Sequence, residues 1–160
     1  MSTNTTAPSA TGFEPPRMDI TKHARGAYRA MVALDGAVEL DSSLRDLVYL
    51  RASIVNGCAY CVDMHTLDAA KRGEDAQRLY AVATWHEAPF FTERERAALQ
   101  LTDAITLLPE GHVPLAVFDA AREHFDDEEL TQLIWAITVM NAWNRIAVST
   151  RMLPGEYDPA

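Results

Sequence analysis

The sequence contains only two cysteines, and it has no run of about 18 apolar residues, the length that a membrane-spanning helix needs. Basic residues are also scarce, since 14 lysines and arginines stand against 23 aspartates and glutamates and give a net charge of −9. Nucleic acids and anionic membrane surfaces bind basic faces, so the composition argues against both as partners. Apolar and polar residues do not alternate convincingly with a period of two, so the sequence predicts no strand.

The first residues also lack a secretory signal, because no apolar stretch follows a basic one and serine, threonine, alanine and proline predominate. We therefore expect residues 1–18 to form a flexible tail and residues 19–160 to form one helical domain. The same absence favours a cytoplasmic location, where thiols are kept reduced and a cysteine pair is more often catalytic or metal-binding than structural.

Apolar residues instead recur at helical spacing along the rest of the chain, which predicts an all-α fold. The expected helices lie at about 23–38, 42–55, 57–72, 77–85, 93–107, 114–123 and 127–150. Asn56 is the expected N-cap of the third of them, and Gly73 is expected to follow its end. The last predicted helix is apolar nearly all round, so we expect a second subunit to cover part of it.

The two cysteines, Cys58 and Cys61, are spaced C-x-x-C, and His65 follows the second by four residues. On a helix, steps of three, four and seven residues return to nearly the same face, so the three side chains form one stripe. Cys58 falls in the first turn after a helix break, where free backbone N–H groups and the helix dipole favour a thiolate. His65 is within reach to accept a proton from Cys61 or to stabilise its anion. The stripe predicts thiol–disulfide chemistry.

Two other interpretations of this stripe need weighing. Buried cysteines on a helix are common packing residues, and the stripe also offers three zinc ligands. A fourth ligand has no recognisable spacing; the remaining candidates are a carboxylate or one of His23, His86, His112 and His124. Three ligands crowded onto one helix are also unlike the usual two-knuckle zinc sites, so we expect no bound metal.

Several segments together suggest a family. Residues 47–65 read LVYLRASIVNGCAYCVDMH, residues 69–74 read AAKRGE, residues 85–99 read WHEAPFFTERERAAL, residues 103–106 read DAIT and residues 141–145 read NAWNR. This ordered set closely resembles the core of the AhpD-like alkylhydroperoxidases, which belong to the carboxymuconolactone decarboxylase superfamily. The resemblance spans roughly residues 25–155, and it is therefore far more specific than the C-x-x-C alone.

The resemblance implies an all-helical fold, assembly into homotrimers or homohexamers, and a peroxidase or disulfide-reductase activity run by the two cysteines. It implies that Cys61 is the peroxide-reactive thiol, that Cys58 is the resolving thiol and that His65 is the family histidine. Asp46 occupies the position of the proton-relay glutamate, twelve residues before the first cysteine, with a side chain one methylene shorter. Tyr60 stands where the founding members have a second histidine.

The leading hypothesis is thus a thiol-dependent antioxidant enzyme that reduces alkyl hydroperoxides or a partner disulfide. It would use no bound cofactor, and a protein or small-molecule dithiol, or a disulfide reductase, would supply the electrons. A decarboxylase of the superfamily's other branch is one alternative, although that branch generally lacks the C-x-x-C. A non-enzymatic redox-sensing protein is the other. Asn141, Asn144 and Arg145 on the last helix are interpreted as a buried polar network or an interface contact.

Overall fold

The structure is a computed structural model that describes residues 15–159, and it contains helices and no strand over that range. The helices are α1 (Ile20–His23), α2 (Arg25–Gly36), α3 (Ser42–Val55), α4 (Ala59–Lys71), α5 (Ala76–Ala81), α6 (Glu93–Leu107), α7 (Leu115–Arg122) and α8 (Asp127–Thr150), with a 3₁₀ turn at Val82–Thr84. The predicted all-α class is confirmed. Residues 1–14 of the predicted tail lie outside the described residues, and within the remainder of that tail the Arg17 amide donates to the Thr150 carbonyl over 2.8 Å.

Helix α3 lies at the centre of the core because both of its faces are apolar and buried. Val48 and Ala52 pack in a cluster with residues of α6 and α8. Leu47 and Leu50 pack in a second cluster with residues of α4, α5 and α6. Burying each leucine contributes about 1.5–3 kcal/mol relative to leaving it exposed, so α3 is strongly held. It provides a rigid support for α4, which carries the cysteines.

The turn between α3 and α4 differs from the prediction by two residues. Asn56 does not cap α4; it is the C-cap residue of α3, and its side chain donates to the Ala52 carbonyl at 2.9 Å. Gly57 follows in the left-handed region, with φ of +65°, where a side chain would be strained. The N-cap of α4 is Cys58, whose sulfur accepts the hydrogen bond that an asparagine oxygen was expected to accept.

Other helix boundaries follow local sequence signals. Thr92 and Glu95 form a reciprocal capping box at the start of α6, and Asp126 and Glu129 form another at the start of α8. The predicted helix at 77–85 is shorter than expected, because the chain tightens into the 3₁₀ turn after Ala81. The short helix α1 was not predicted, since four residues carry too little periodicity to be recognised.

Helix α8 carries buried residues from Leu130 to Thr150, yet Trp135 and Val148 remain 47% and 49% exposed in the single chain. Trp135 belongs to the apolar surface that a second subunit was expected to cover. Assembly into a trimer or hexamer stays a prediction. Within residues 15–159, none of the helices combines the length and the apolar character that crossing a membrane requires.

Candidate active site

The two cysteines lie at the start of α4, Cys58 as its N-cap and Cys61 in its first turn. Both are free thiols, and each side chain is only 2% exposed. The backbone N–H of Cys61 donates to the sulfur of Cys58, with an N···S distance of 3.4 Å. The Cys58 sulfur thus lies where the free N–H groups and the positive end of the helix dipole stabilise an anion.

The two thiols titrate as a pair. A hydrogen bond from the Cys61 thiol, which outweighs the opposing effect of burial, lowers the pKa of Cys58 to about 7. The same hydrogen bond raises the pKa of Cys61, because the Cys61 thiol must keep its proton to donate it, and burial raises this pKa further. Near pH 7 the pair therefore loses its first proton, so about half of the molecules carry one negative charge there, which rests mainly on Cys58.

His65 lies one turn further along α4 and is 7% exposed. Its Nε2 atom is 3.1 Å from the sulfur of Met140, and its ring makes an edge contact with Tyr49 at a centroid separation of 5.2 Å. Burial lowers the pKa of His65 to about 4. The imidazole is therefore neutral at pH 7, so it can accept and pass on a proton but offers no positive charge to a thiolate.

The buried imidazole should make the fold sensitive to acid. The pKa of His65 is about 4 in the folded chain and near its ordinary 6.5 when unfolded, so between these values only the unfolded chain binds the proton. Acidification therefore favours unfolding, and we expect the free energy of unfolding to fall by about 2 kcal/mol between pH 7 and pH 5. Urea denaturation across this range measures the loss. His65→Gln should flatten it, His86→Gln at an exposed site should not, and a slope shared by all three proteins would contradict the assignment.

A cavity of about 750 Å³ opens beside Cys61 and His65. Among the described residues that line it, Cys61 is the only member of the cysteine pair. Aromatic and sulfur-containing side chains form much of the remaining wall, namely Tyr28, Tyr60, Met64, Met140 and Trp143. Residues of α2 and α8 and the segments at 16–21 and 152–158 also line it. The volume is that of a small-molecule site, and its wall suits an apolar ligand.

Asp46 is buried, and both of its carboxylate oxygens bind the guanidinium of Arg72, one of them at 2.8 Å from Nε. Burial raises the pKa of Asp46, while the hydrogen bond and charge of Arg72 oppose that shift. Asp46 and Arg72 line a second cavity, of about 370 Å³, which His65 also lines. Asp46 and His65 therefore line the same second cavity, and the Asp46 carboxylate is paired with the cationic side chain of Arg72.

Two further side chains near the site were not singled out from the sequence as functional. Asn144 is 1% exposed, its side chain bonds to Ser53 and Asn56, and its amide lowers the pKa of both cysteines. Asp35 accepts a hydrogen bond from the Tyr49 hydroxyl at 2.5 Å and another from the Trp143 ring nitrogen at 3.2 Å. The sequence signal for Asn144 was a polar residue among apolar ones on the last predicted helix. It was interpreted as structural or interfacial.

Over the described residues, the fold brings no further zinc ligand to the two cysteines and His65. Within residues 15–159, no three histidine, cysteine, aspartate or glutamate side chains come together in a way that could hold a metal ion. The candidate site thus consists of a buried thiol pair with one lowered pKa, a neutral imidazole and an adjoining cavity.

Comparisons with known proteins identify the family. The model of the carboxymuconolactone decarboxylase family matches residues 23–104, which include α4 and both cysteines. YdfG, an uncharacterized protein of Bacillus subtilis, is 43% identical over 110 residues, covering 69% of this chain and 75% of YdfG.

Solved structures agree in fold. ATU0492 of Agrobacterium tumefaciens superposes with a TM-score of 0.86 at 38% identity, covering 89% of this chain and all of that one. A peroxidase-related protein of Ralstonia eutropha with an alkylhydroperoxidase AhpD core gives a TM-score of 0.75 at 25% identity, covering 85% and 74%. The chain therefore belongs to the carboxymuconolactone decarboxylase family, and its domain is AhpD-like.

Proposed function

We propose that the protein is a thiol-dependent peroxidase that reduces organic hydroperoxides. The observation that carries the proposal is that Cys61, whose partner Cys58 has a pKa lowered to about 7, lines a largely apolar cavity of about 750 Å³. A thiolate is the form that attacks peroxide oxygen, and the apolar wall suits the organic part of the substrate. The membership of the family and the likeness to a protein with an alkylhydroperoxidase core support the same activity.

The burial of the thiols favours a small hydroperoxide over a protein disulfide as the oxidising substrate. Each cysteine side chain is 2% exposed, so a disulfide on the surface of another folded protein has no direct approach to either sulfur. A small molecule in the cavity meets Cys61 alone. The reducing dithiol, if small, would use the same cavity to regenerate the pair.

The proposed first step begins with the negative charge on Cys58 and the proton on Cys61. Cys58 takes this proton as the Cys61 sulfur attacks the terminal oxygen of the hydroperoxide, ROOH. The S–O bond forms, the O–O bond breaks, and the electron pair leaves with the alkoxide, RO⁻. The proton then passes from Cys58 through the His65 imidazole to the alkoxide, which departs as the alcohol ROH. Cys61 is left as a sulfenic acid, and Cys58 is again a thiolate.

The second step oxidises the pair. The Cys58 thiolate attacks the Cys61 sulfur, the S–S bond forms, and hydroxide leaves and takes a solvent proton to become water. An external dithiol then exchanges with the disulfide, so that its own two thiols become a disulfide and Cys58 and Cys61 regain their reduced forms. The sum is ROOH and a dithiol giving ROH, water and a disulfide.

We assign Asp46 a supporting part in this scheme. Its carboxylate, held by Arg72, faces the second cavity that His65 also lines, so it lies on a polar path between the imidazole and solvent. Protons lost or gained by His65 between turnovers can follow this path. The relay from the thiol pair to the alkoxide does not require Asp46 to touch either sulfur.

The proposal predicts a defined product. Reduced protein treated with one equivalent of cumene hydroperoxide is expected to form a disulfide between Cys58 and Cys61, because the two residues are one helical turn apart and the backbone N–H of Cys61 donates to the Cys58 sulfur. Mass spectrometry of the intact chain should show a loss of two hydrogens, and a peptide digest should link the two cysteines within one chain.

The same sample with excess dithiothreitol should consume hydroperoxide over many cycles. A redox-sensing protein without enzymatic turnover would form the disulfide once and consume little more. Disulfides found only between chains, or single cysteines oxidised to sulfinic acid, would contradict the proposed reaction.

A further inference from the structure

We infer that the carboxylate of Asp35 positions two aromatic side chains of the site, Trp143 in the wall of the larger cavity and Tyr49 beside the imidazole. Asp35 lies in the last turn of α2 and lines both cavities, of about 750 and 370 Å³. The inference rests on the proposed function for the identity of the substrate, and it assigns to that substrate an aromatic group next to the hydroperoxide.

Each oxygen of the Asp35 carboxylate accepts a hydrogen bond from one aromatic side chain. Oδ1 accepts from the Tyr49 hydroxyl at 2.5 Å, and Oδ2 accepts from the Trp143 ring nitrogen at 3.2 Å. Burial and the hydrogen bond to Asp35 raise the pKa of Tyr49, so its hydroxyl keeps the proton that it donates. An indole N–H can only donate. The carboxylate therefore fixes a ring of α3 and a ring of α8 relative to α2.

The place of Asp35 in its helix is explained by these two donors. A carboxylate in the last turn of a helix meets the negative end of the helix dipole, which is unfavourable. The Asp35 side chain is also half-buried, so the two donors replace part of the water that would otherwise solvate it. Tyr28 and Val32 lie on the same face of α2 and line the larger cavity with it. Helix α2 thus directs its carboxylate towards the site.

The contact with Trp143 shapes the wall that meets the substrate. The rings of Trp143 and Tyr28 both line the larger cavity and meet edge to face, with centroids 5.7 Å apart and an interplanar angle of 69°. Two rings at this steep angle form an aromatic corner. A phenyl group can stack on one ring and present its edge to the other, both of which are arrangements that aromatic pairs favour. The corner should therefore bind aryl hydroperoxides more tightly than alkyl ones.

The contact with Tyr49 acts on the imidazole. The rings of Tyr49 and His65 meet at 71° with centroids 5.2 Å apart, and Nε2 of His65 lies 3.1 Å from the Met140 sulfur. The imidazole is therefore held between an aromatic ring and a thioether. Tyr49 is 5% exposed, so removing the Asp35 carboxylate leaves its hydroxyl without the acceptor that fixes the ring. A less well-placed imidazole should transfer protons more slowly.

Asp35→Asn and Asp35→Leu separate positioning from charge. The asparagine can accept from Trp143 through Oδ1 and donate to the Tyr49 oxygen through Nδ2, so both rings keep a partner although the charge is lost. Leucine has a similar volume and no polar atom, so both rings lose their partner. For cumene hydroperoxide we expect Asp35→Leu to raise KM and to lower kcat about tenfold each, because each ring loses a hydrogen bond to a charged group. Asp35→Asn should stay within about threefold of the wild type in both.

A second substrate tests the aromatic corner. tert-Butyl hydroperoxide carries a methyl group where cumene hydroperoxide carries a phenyl group. Its KM should change less than about threefold in Asp35→Leu, because it has no ring to place against Trp143, while its kcat should fall as for cumene hydroperoxide. A variant that was merely less stable would not distinguish the two substrates.

The indole N–H signal of Trp143 in proton NMR reports the same corner without turnover. The chain has three tryptophans, and Trp143→Phe identifies the signal. Cumyl alcohol, the product expected from cumene hydroperoxide, is titrated into the reduced protein. The signal should shift in the wild type and in Asp35→Asn, and the Kd of the alcohol should be about tenfold higher in Asp35→Leu. A protein that binds the alcohol in this way but consumes no hydroperoxide would contradict the proposed function and leave the role of Asp35 intact.

If Asp35→Leu does not fold, Tyr49→Phe and Trp143→Phe decide the question, since each removes one of the two donors. Tyr49→Phe should lower kcat for both hydroperoxides, and Trp143→Phe should raise KM for cumene hydroperoxide more than for tert-butyl hydroperoxide. Equal losses in Asp35→Asn and Asp35→Leu would show that the charge matters and would overturn the inference. So would a Trp143 signal that cumyl alcohol does not move, or a rise in KM shared equally by the two hydroperoxides.

Discussion

Replacing Cys58 with serine is expected to stop multiple turnover while leaving a single slow reaction with hydroperoxide. Cys61 would still line the cavity, but it would lose both the base that takes its proton and the thiol that resolves its sulfenic acid. Replacing Cys61 with serine should abolish hydroperoxide consumption altogether. For both variants we expect steady-state rates to fall on the order of 10³-fold or more, because each removes a member of a unit that acts together.

Dimedone labelling after exposure to one equivalent of hydroperoxide separates the two variants. Cys58→Ser should accumulate a labelled sulfenic acid at Cys61, and Cys61→Ser should show no label above the level of the double variant, which serves as the control. The opposite pattern, with the label on Cys58 in Cys61→Ser, would mean that the residue with the lower pKa is also the peroxide-reactive one. The proposed roles of the two cysteines would then be exchanged.

Parts of the fold could be predicted because their signals are local. The capping boxes at Thr92–Glu95 and Asp126–Glu129 each fix a helix start within four residues, and the structure has both. The C-x-x-C and the histidine that follows could be placed on one helix for the same reason, since the spacing alone determines the face. The start of α4 was less predictable, because Cys58 caps it and cysteine is not among the usual N-cap residues.

The electrostatics of the site depend on contacts between distant parts of the chain. The neutral state of His65 follows from its burial against Met140, 75 positions away. The partner of Asp46 is Arg72, 26 positions away, and Asn144 is oriented by Ser53, 91 positions away. No spacing rule connects such pairs. The sequence could therefore name the two thiols and the histidine of the candidate site, while their protonation states required the folded chain.

His65→Gln tests whether the buried, neutral imidazole of His65 acts in proton transfer. We expect the rate of hydroperoxide reduction to fall by about 10²–10⁴-fold, the usual contribution of a positioned proton-transfer group. We expect the thiol pKa to stay near its wild-type value, because a neutral imidazole supplies no charge to the thiolate. Glutamine keeps much of the volume of the ring, so the packing around Met140 is disturbed little.

Two measurements on the same variant separate the role of His65 in proton transfer from a role in stabilising charge. The first is the rate of Cys61 oxidation by hydroperoxide in a single turnover, and the second is the thiolate titration of the reduced protein without substrate. A slow reaction with an unshifted titration supports proton relay, and His86→Gln, at an exposed histidine, should change neither. A thiol pKa raised by a unit or more in this variant would contradict the proton-relay role of His65. That result would require a protonated imidazole beside the thiolate at neutral pH, which the burial of His65 opposes.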